Sequence, residues 1–304
     1  MDLNYFKKTR ILDAGMGQEL LARGLITKGT LWSATSLIDE KFNSLVVDTH
    51  LSSIRAGADV ILTNTFTTRR VRMVQNQVGD LFQFANQKAC ELAIKARELS
   101  KKNILIAGSL PAQNDTYQAD KRDQNIIEKD FFDQASIINP YIDFFYLDVI
   151  SSGREVEVAL NAIDKLNKPV LVGLHLKKNG MLPSGETITE IVKKYKNTKW
   201  LGVVSACVSL EIIEQTVDEL KSLDIPFGFK ANLWAVEEPL PVHRFNTAGY
   251  NEIGKNPNIT LGKREITGKV FCQFAKKISK KGATILGGCC ETDSSHIKEL
   301  SKLK

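Results

Sequence analysis

Short apolar runs alternate with longer amphipathic segments along almost the whole chain. Many of the apolar runs are continuous in Val, Ile and Leu, which is typical of parallel strands that are buried on both faces. The pattern predicts strands over Arg10–Ala14, Asp59–Thr65, Ile104–Ser109, Phe144–Ile150, Val170–Leu176, Leu201–Cys207, Phe227–Asn232 and Thr284–Gly288.

The segments between these strands have the periodicity of helices with one apolar face. We predict helices over Leu37–Ala56, Leu81–Ser100, Ile126–Asn139, Glu155–Leu166, Ile188–Lys196, Leu210–Leu223 and Gly268–Lys281. A last helix is predicted over Ser294–Leu303, because Thr292 and Asp293 before it are good capping residues. Each predicted strand is therefore followed by a helix.

Eight strand–helix units in a chain of 304 residues are the number that builds a (β/α)8 barrel. We therefore predict an α/β fold, a single (β/α)8 TIM barrel, with residues 1–304 as one domain, since no composition break divides the chain. A doubly wound sheet is the alternative, because local patterns do not show closure. The segment Lys230–Pro257 is longer than an ordinary connection, which is typical of loops with a functional or partner-binding role.

In a barrel of this kind the chemistry lies at the carboxyl ends of the strands, which open onto one face. Of the histidines, His175 at a strand end is more typical of a hydrogen-bonded core residue than of a ligand. His243 and His296 have the positions of a loop residue and a helix-surface residue. The candidate functional residues at the predicted strand ends are Asp13, Asn64, Thr65, Ser109, Asp148, His175, Cys207, Asn232, Cys289 and Cys290.

Two adjacent cysteines, Cys289 and Cys290, directly follow the last predicted strand. Neighbouring strand residues point to opposite faces, so both thiols reach one point only where the strand ends, and Gly287-Gly288 permits such a backbone. Cys207 ends another strand on the same face. Three thiolates would leave one position of a tetrahedral Zn²⁺ open, as in catalytic zinc sites. The alternative is that these cysteines are small buried hydrophobes.

Composition and charge mainly exclude classes of function. The formal charge is a mild +6 and the lysines are scattered over polar helix faces, which argues against a nucleic-acid partner. No run approaches the roughly 18 apolar residues of a membrane span, and the first residues lack the pattern of a signal peptide. We therefore expect a cytoplasmic protein with reduced cysteines. Cys90 and Cys272 lie in helical patterns and are expected to be packing residues.

Several motifs, in order and at matching spacing, resemble those of one enzyme family. Together they span nearly the whole chain, which resembles the zinc-dependent homocysteine S-methyltransferases, a family that includes the betaine–homocysteine methyltransferases. The motifs are Leu12-Asp13-Ala14-Gly15-Met16-Gly17-Gln18-Glu19-Leu20, Leu31-Trp32-Ser33, Ala56–Phe66, Ala107-Gly108-Ser109-Leu110-Pro111, Ser184-Gly185-Glu186, and Gly287-Gly288-Cys289-Cys290 with Thr292 and His296.

The resemblance implies that Cys207, Cys289 and Cys290 bind Zn²⁺ and that homocysteine accepts a methyl group to give methionine. Asp13 matches an acid near the substrates' polar groups, and we expect it to be catalytic and substrate-binding. Asp148 falls where the family commonly has a glutamate that binds the homocysteine amino group. Its shorter side chain either rearranges this contact or changes the acceptor to another thiol or a selenol. We expect further substrate contacts from Trp32, Asn64, Thr65, Phe66, Ser109 and Asn232.

The methyl donor is expected to be a cation, because a sulfonium or quaternary ammonium group leaves without being protonated. Betaine-using members hold the trimethylammonium group with aromatic side chains. Trp32 matches one of these, but the other positions correspond to Thr67 and Val149, so we predict a sulfonium donor such as S-methylmethionine or a dimethylsulfonio compound. Betaine is the alternative, since Phe66 and Trp234 could partly replace the aromatic cage.

The expected partners are therefore small-molecule substrates, with the protein itself a monomer or a small homo-oligomer. A barrel that binds zinc without turning over a substrate is a further alternative. It is disfavoured because the three cysteines and Asp13 are all present, whereas a decayed site usually loses its ligands first.

Overall fold

The computed structural model describes all residues from Met1 to Lys304. Eight strands, all parallel, alternate with helices in the order that the sequence predicts. The strands are β1 (Arg10–Ile11), β2 (Val60–Leu62), β3 (Leu105–Pro111), β4 (Phe144–Ile150), β5 (Val170–Leu174), β6 (Trp200–Val208), β7 (Phe227–Ala231) and β8 (Ile285–Gly288).

Helices connect the strands and pack around them. The α-helices are α1 (Met16–Ala22), α2 (Thr35–Ile38), α3 (Asn43–Ala56), α4 (Arg70–Gln75), α5 (Phe82–Ser100), α6 (Gln124–Ile138), α7 (Gly153–Asp164), α8 (Ile188–Tyr195), α9 (Leu210–Lys221), α10 (Asn258–Leu261), α11 (Gly268–Lys280) and α12 (Ser294–Leu300). Short 3-10 helices span Tyr5–Lys7, Trp32–Ala34, Glu40–Phe42, Gly79–Leu81, Asn139–Tyr141, Val242–Arg244 and Ser301–Leu303. None of the helices combines the length and apolar character needed to cross a bilayer.

The sheet closes into a barrel. Its ladders run in the order β1-β8-β7-β6-β5-β4-β3-β2. The seam between β1 and β2 is joined by a parallel bridge between Leu12 and Val60. A carboxylate completes this seam, because Asp13 Oδ2 accepts a hydrogen bond from the Leu62 N–H at 2.7 Å. The predicted (β/α)8 barrel is therefore confirmed over the doubly wound alternative.

Two apolar layers stabilise the barrel. A cluster of 64 buried residues fills the space between the strands and the helices, and a second cluster of 11 fills the barrel interior. Phe6, which precedes β1, packs edge-on against Phe144 of β4 with ring centroids 5.8 Å apart. This contact closes the amino-terminal end of the barrel. The interior is thus packed core, and the carboxyl ends of the strands remain to form a site.

The local structure departs from the predicted elements at the first helix. The predicted helix Leu37–Ala56 is wrong as a single element, because Asp39 is extended (φ −106°, ψ 101°) and separates α2 from α3. Helices α1, α4 and α10 were not predicted, since segments of 7, 6 and 4 residues are too short to show a helical period.

His296 is buried, so its predicted place on a helix surface is wrong. It stands in the first turn of α12, where it forms a capping box with Asp293, the predicted cap. Its Nε2 lies 2.8 Å from the Ile266 carbonyl oxygen. The imidazole therefore ties α12 to the segment that precedes α11, which sequence periodicity does not reveal.

Candidate metal centre and substrate pocket

A pocket of about 1050 Å³, counted out to its mouth, opens at the carboxyl ends of the strands. The segment after β7 forms one of its walls through Trp234, Val242, Phe245 and Asn246. The sequence predicts a functional connection over Lys230–Pro257; the structure places Lys230 in β7, and the connection that follows Ala231 lies directly at the pocket.

Three cysteine side chains converge in this pocket. Cys207 lies near the end of β6, and Cys289 and Cys290 directly follow β8. Cys290 Sγ is 3.7 Å from Cys207 Sγ and 3.9 Å from Cys289 Sγ, and all three sulfurs lie within 4.8 Å of one another. A tetrahedral ion with Zn–S bonds of about 2.3 Å needs sulfurs about 3.8 Å apart. The three thiols therefore fit zinc and leave a fourth ligand position to spare.

The protonation of the three thiols shows why a cation would stabilise them. Burial raises the pKa of Cys207, but hydrogen bonds from Cys289, Cys290 and Tyr117 outweigh burial and hold this pKa well below its ordinary value. The interaction with Cys207 is the largest effect that raises the pKa of Cys289 and of Cys290. One thiolate thus opposes ionisation of the other two, and a bound cation would let all three ionise.

Four of the eight non-glycine residues with left-handed backbone line the pocket. Trp32, Tyr117, Val149 and Cys207 have φ values of 47°, 67°, 61° and 53°. This region costs about 1–3 kcal/mol per residue and is exceptional for a β-branched side chain such as Val149. The ladder registers shift beside Val149 in β4 and beside Cys207 in β6. Bulges of this kind re-aim side chains next to functional sites, as they do here for Cys207.

A buried ion pair joins the ends of β1 and β7. Lys230 Nζ donates to Asp13 Oδ1 at 2.8 Å and to the Asp13 carbonyl oxygen at 3.1 Å, and both side chains are only 5% exposed. The lysine passes over Gly287 of the intervening β8, where an added Cβ would lie 3.1 Å from Lys230 Cγ. Burial alone would lower the pKa of Lys230, but the attraction of Asp13 raises it above its ordinary value. The ammonium group therefore stays charged.

Asp148 of β4 lines the same pocket. Its Oδ2 accepts a hydrogen bond from Ser109 Oγ at 2.8 Å. Burial is the main cause that raises the pKa of Asp148 to about 7, and Cys289 adds to the rise while Lys230 opposes it. Ionisation of this carboxyl group would therefore be favoured by a cationic group of a substrate.

Aromatic side chains stand beside the thiols. Tyr117 Oη lies 3.2 Å from Cys207 Sγ. The aromatic residues that pack in or against the apolar cluster containing Cys207 and Cys290, here called the aromatic wall, are Trp32, Phe66, Tyr117, Trp234 and Phe245. Aromatic faces of this kind attract methylated onium ions through cation–π interactions.

The sequence model of the homocysteine S-methyltransferase family matches residues 10–303. The chain belongs to this family. It is 23% identical to homocysteine S-methyltransferase 2 of Saccharomyces cerevisiae over 330 residues, which cover 97% of this chain and 94% of that protein. It is 25% identical to betaine–homocysteine S-methyltransferase 1 of Danio rerio over 300 residues, which cover 95% of this chain and 71% of that protein. Its fold matches the crystal structure of the homocysteine methyltransferase MmuM from Escherichia coli in the metallated form, with a TM-score of 0.77, 19% identity, and coverage of 98% and 96%.

Most of the site residues that the sequence predicts for this family member meet in the pocket. Thr65 does not line it, because its hydroxyl donates to the Ser109 carbonyl oxygen at 2.6 Å within the core. Asn232 also lies behind the pocket, where its Nδ2 donates to the Cys207 carbonyl oxygen at 2.7 Å. The predicted residues that do line the pocket are Asp13, Trp32, Asn64, Phe66, Ser109, Asp148, Cys207, Cys289 and Cys290.

Two other residues have supporting roles in this family member. His175 is a buried core residue that packs on Tyr117 with ring centroids 4.7 Å apart. Burial lowers its pKa to about 4, so the imidazole is neutral. Thr67, a position where the sequence predicts that the aromatic cage is lost, accepts a hydrogen bond from the Ala34 N–H at 3.0 Å. Its hydroxyl therefore holds the 3-10 helix that begins at Trp32.

Four further residues line the pocket and were not predicted from the sequence: Lys230, Arg72, Tyr117 and Phe245. Lys230 could have been identified from the sequence, because it lies inside an apolar strand and a buried lysine is almost always paired with an opposite charge. Tyr117 and Phe245 lie in irregular segments, where no periodicity shows which way a side chain points.

Proposed function

We propose that this chain is a zinc-dependent methyltransferase that moves a methyl group from a sulfonium donor, S-methylmethionine or a dimethylsulfonio compound, to homocysteine. The observation that carries the proposal is the convergence of three thiols beside aromatic side chains in one pocket. Cys207, Cys289 and Cys290 would hold the ion. Zinc bound there would supply the Lewis acidity that keeps the acceptor thiol deprotonated near neutral pH.

The remaining residues would bind the two substrates and align sulfur with methyl, which is the main contribution a protein makes to such a displacement. Asp148 would bind the acceptor's ammonium group, with Ser109 holding its other oxygen. Trp32, Asn64 and Phe66 would form the remaining contacts from the pocket wall. Thr65 and Asn232 lie behind the pocket wall. They would support the site indirectly, through their hydrogen bonds to Ser109 and Cys207.

The sequence predicts that Asp13 is a catalytic and substrate-binding residue, but other protein groups occupy its carboxylate. Its two carboxylate oxygens are engaged by the Leu62 N–H and by Lys230 Nζ. We therefore propose that Asp13 acts on the substrates through Lys230, which it holds at the pocket.

The donor side of the pocket combines the aromatic wall with a guanidinium group. Arg72 is buried, lines the pocket and has one protein carboxylate nearby, with its Nη2 3.6 Å from Asp115 Oδ1. Sulfonium amino acids, dimethylsulfoniopropionate and betaine all carry a carboxylate that suits this group. Betaine is the second candidate donor, because Tyr117 and Phe245 supply aromatic faces that Thr67 and Val149 lack.

Methionine formation tests the proposal. Reduced, zinc-loaded protein is incubated with homocysteine and, in parallel, S-methylmethionine, dimethylsulfoniopropionate or betaine. Turnover with sulfonium donors alone supports the proposed donor class, and turnover with betaine assigns the aromatic wall to a quaternary ammonium ion. The absence of methionine with every donor would refute the acceptor or the activity.

Asp148→Asn is expected to weaken homocysteine binding about ten- to thirtyfold, because it removes a charge-assisted hydrogen bond to the acceptor's ammonium group. The affinity for the donor should change much less. Calorimetric titrations with each substrate measure both effects. Asp164→Asn is the matched control, since that carboxylate is 71% exposed on α7. An unchanged homocysteine affinity would remove Asp148 from the acceptor site.

We also propose that the protein works in the cytoplasm and that residues 1–304 form one domain. All five cysteines are free thiols, and neighbouring thiolates without a metal oxidise readily outside a reducing compartment. The first and last strands pair with each other, so the barrel needs both ends of the chain.

A further inference from the structure

Lys230 has a hydrogen-bond donor to spare at the acceptor end of the pocket. A lysine ammonium group has three donors. Two of them are used within the protein, by Asp13 Oδ1 at 2.8 Å and by the Asp13 carbonyl oxygen at 3.1 Å. No third protein acceptor lies within hydrogen-bonding distance, and Lys230 lines the pocket. One N–H of a fixed, buried cation is therefore available to a ligand.

The two carboxylates near Lys230 differ in what they can still accept. Asp13 already binds Lys230 through Oδ1 and the Leu62 N–H through Oδ2. A substrate ammonium group would have to compete there with an ammonium that the fold has already placed. Asp148 uses only Oδ2, for the Ser109 hydroxyl, and its Oδ1 has no protein partner. The pocket thus offers one free anionic acceptor and one free cationic donor.

We propose that Lys230 binds the carboxylate of the methyl acceptor and, with Asp148, selects a thiol that carries both charges of an α-amino acid. This inference rests on the proposed function, because it names the acceptor class of the same site. Lys230 is the specificity-determining residue, and Asp13 is a positioning residue that acts through it.

The path of the lysine explains why the cation is fixed in place. Its side chain crosses from β7 over β8 to Asp13, two residues past the end of β1, and Gly287 of β8 leaves the room for it. An added Cβ at Gly287 would also lie 2.8 Å from Leu12 Cβ. The space beside Gly287 is therefore occupied by Lys230 on one side and by Leu12 on the other. The Lys230 ammonium group is therefore already in place before the acceptor binds. A preorganised charge of this kind discriminates between acceptors that carry a carboxylate and those that do not.

Calorimetric titration with three thiols tests the inference. The thiols are homocysteine, its decarboxylated analogue aminopropanethiol, and its deaminated analogue mercaptobutyrate. Zinc-loaded wild type should prefer homocysteine over aminopropanethiol by about tenfold or more. Lys230→Met should bring this ratio close to one, while the ratio of homocysteine to mercaptobutyrate stays close to that of the wild type. Lys276→Met makes the same chemical change on the exposed face of α11 and should alter neither ratio.

The double variant Lys230→Met, Asp13→Asn guards against a folding defect, since it leaves no unpaired buried carboxylate. An unchanged homocysteine to aminopropanethiol ratio in both Lys230 variants would overturn the role of Lys230. Methionine formation is measured on the same wild-type preparation. If the wild type makes methionine but both Lys230 variants keep its preference for homocysteine over aminopropanethiol, only the role of Lys230 is refuted. If the wild type binds no thiol and makes no methionine, the proposed function and this inference are refuted together.

Discussion

Cys290→Ala is expected to release the bound zinc and to lower the rate of methionine formation about 1000-fold or more, because the acceptor thiol loses the group that keeps it ionised. Cys290 Sγ lies closest to both other sulfurs, at 3.7 and 3.9 Å. The two remaining thiols lack the third protein ligand of a catalytic zinc site. Metal content after dialysis and methionine formation with a saturating donor measure the two losses.

Cys272→Ala is the matched control for this change. Cys272 is a half-buried thiol on α11 whose Sγ donates to the Glu299 carbonyl oxygen at 3.2 Å, apart from the three pocket cysteines. This variant should keep its zinc and its activity. Full turnover by Cys290→Ala would refute the three-thiolate site. Zinc retained without turnover would show that Cys290 is needed for catalysis but not for holding the ion.

The barrel could be predicted because parallel strands that are buried on both faces have continuous apolar sequences. Eight such runs alternate with helical segments along the chain. Element boundaries were less accessible. β1 ends at Ile11 although the apolar pattern continues, because past Ile11 the seam to β2 keeps only the single bridge of Leu12 to Val60, and the Asp13 carboxylate accepts from the Leu62 N–H in place of a backbone oxygen. The break between α2 and α3 at the extended residue Asp39 could not be predicted either, because the amphipathic pattern continues across it.

The thiols of the site could be predicted because a strand-end position and a ligating residue type are both visible in the sequence. The ion pair between Lys230 and Asp13 could not, because it depends on two facts of register. Lys230 must stand opposite Gly287 in the ladder, and β8 must lie between β7 and β1. The left-handed backbone at Cys207 and Val149, which shifts two ladders beside the pocket, is also a result of the assembled barrel and not of local sequence preference.

Gly15→Ala is expected to lower zinc affinity and the rate of methyl transfer roughly 100-fold, because a misplacement of about 1 Å at a reacting site costs that much. An alanine Cβ at Gly15 would lie 2.9 Å from the Cys289 carbonyl carbon and 3.2 Å from Cys290 Cα. Both are backbone atoms of the segment that carries two of the three thiols, so neither can rotate away. The φ of Gly15 is −73°, which alanine tolerates, so the effect comes from this contact and not from backbone strain.

Gly249→Ala separates that contact from a general cost of replacing glycine. The nearest heavy atom to an added Cβ at Gly249 is 3.8 Å away, on the Glu252 side chain, so this variant should bind zinc and form methionine like the wild type. Metal titration and initial rates of both variants give the comparison. If Gly15→Ala keeps the zinc affinity of Gly249→Ala, the end of β8 is not positioned by its approach to Gly15, and the geometry of Cys289 and Cys290 must be set within their own segment.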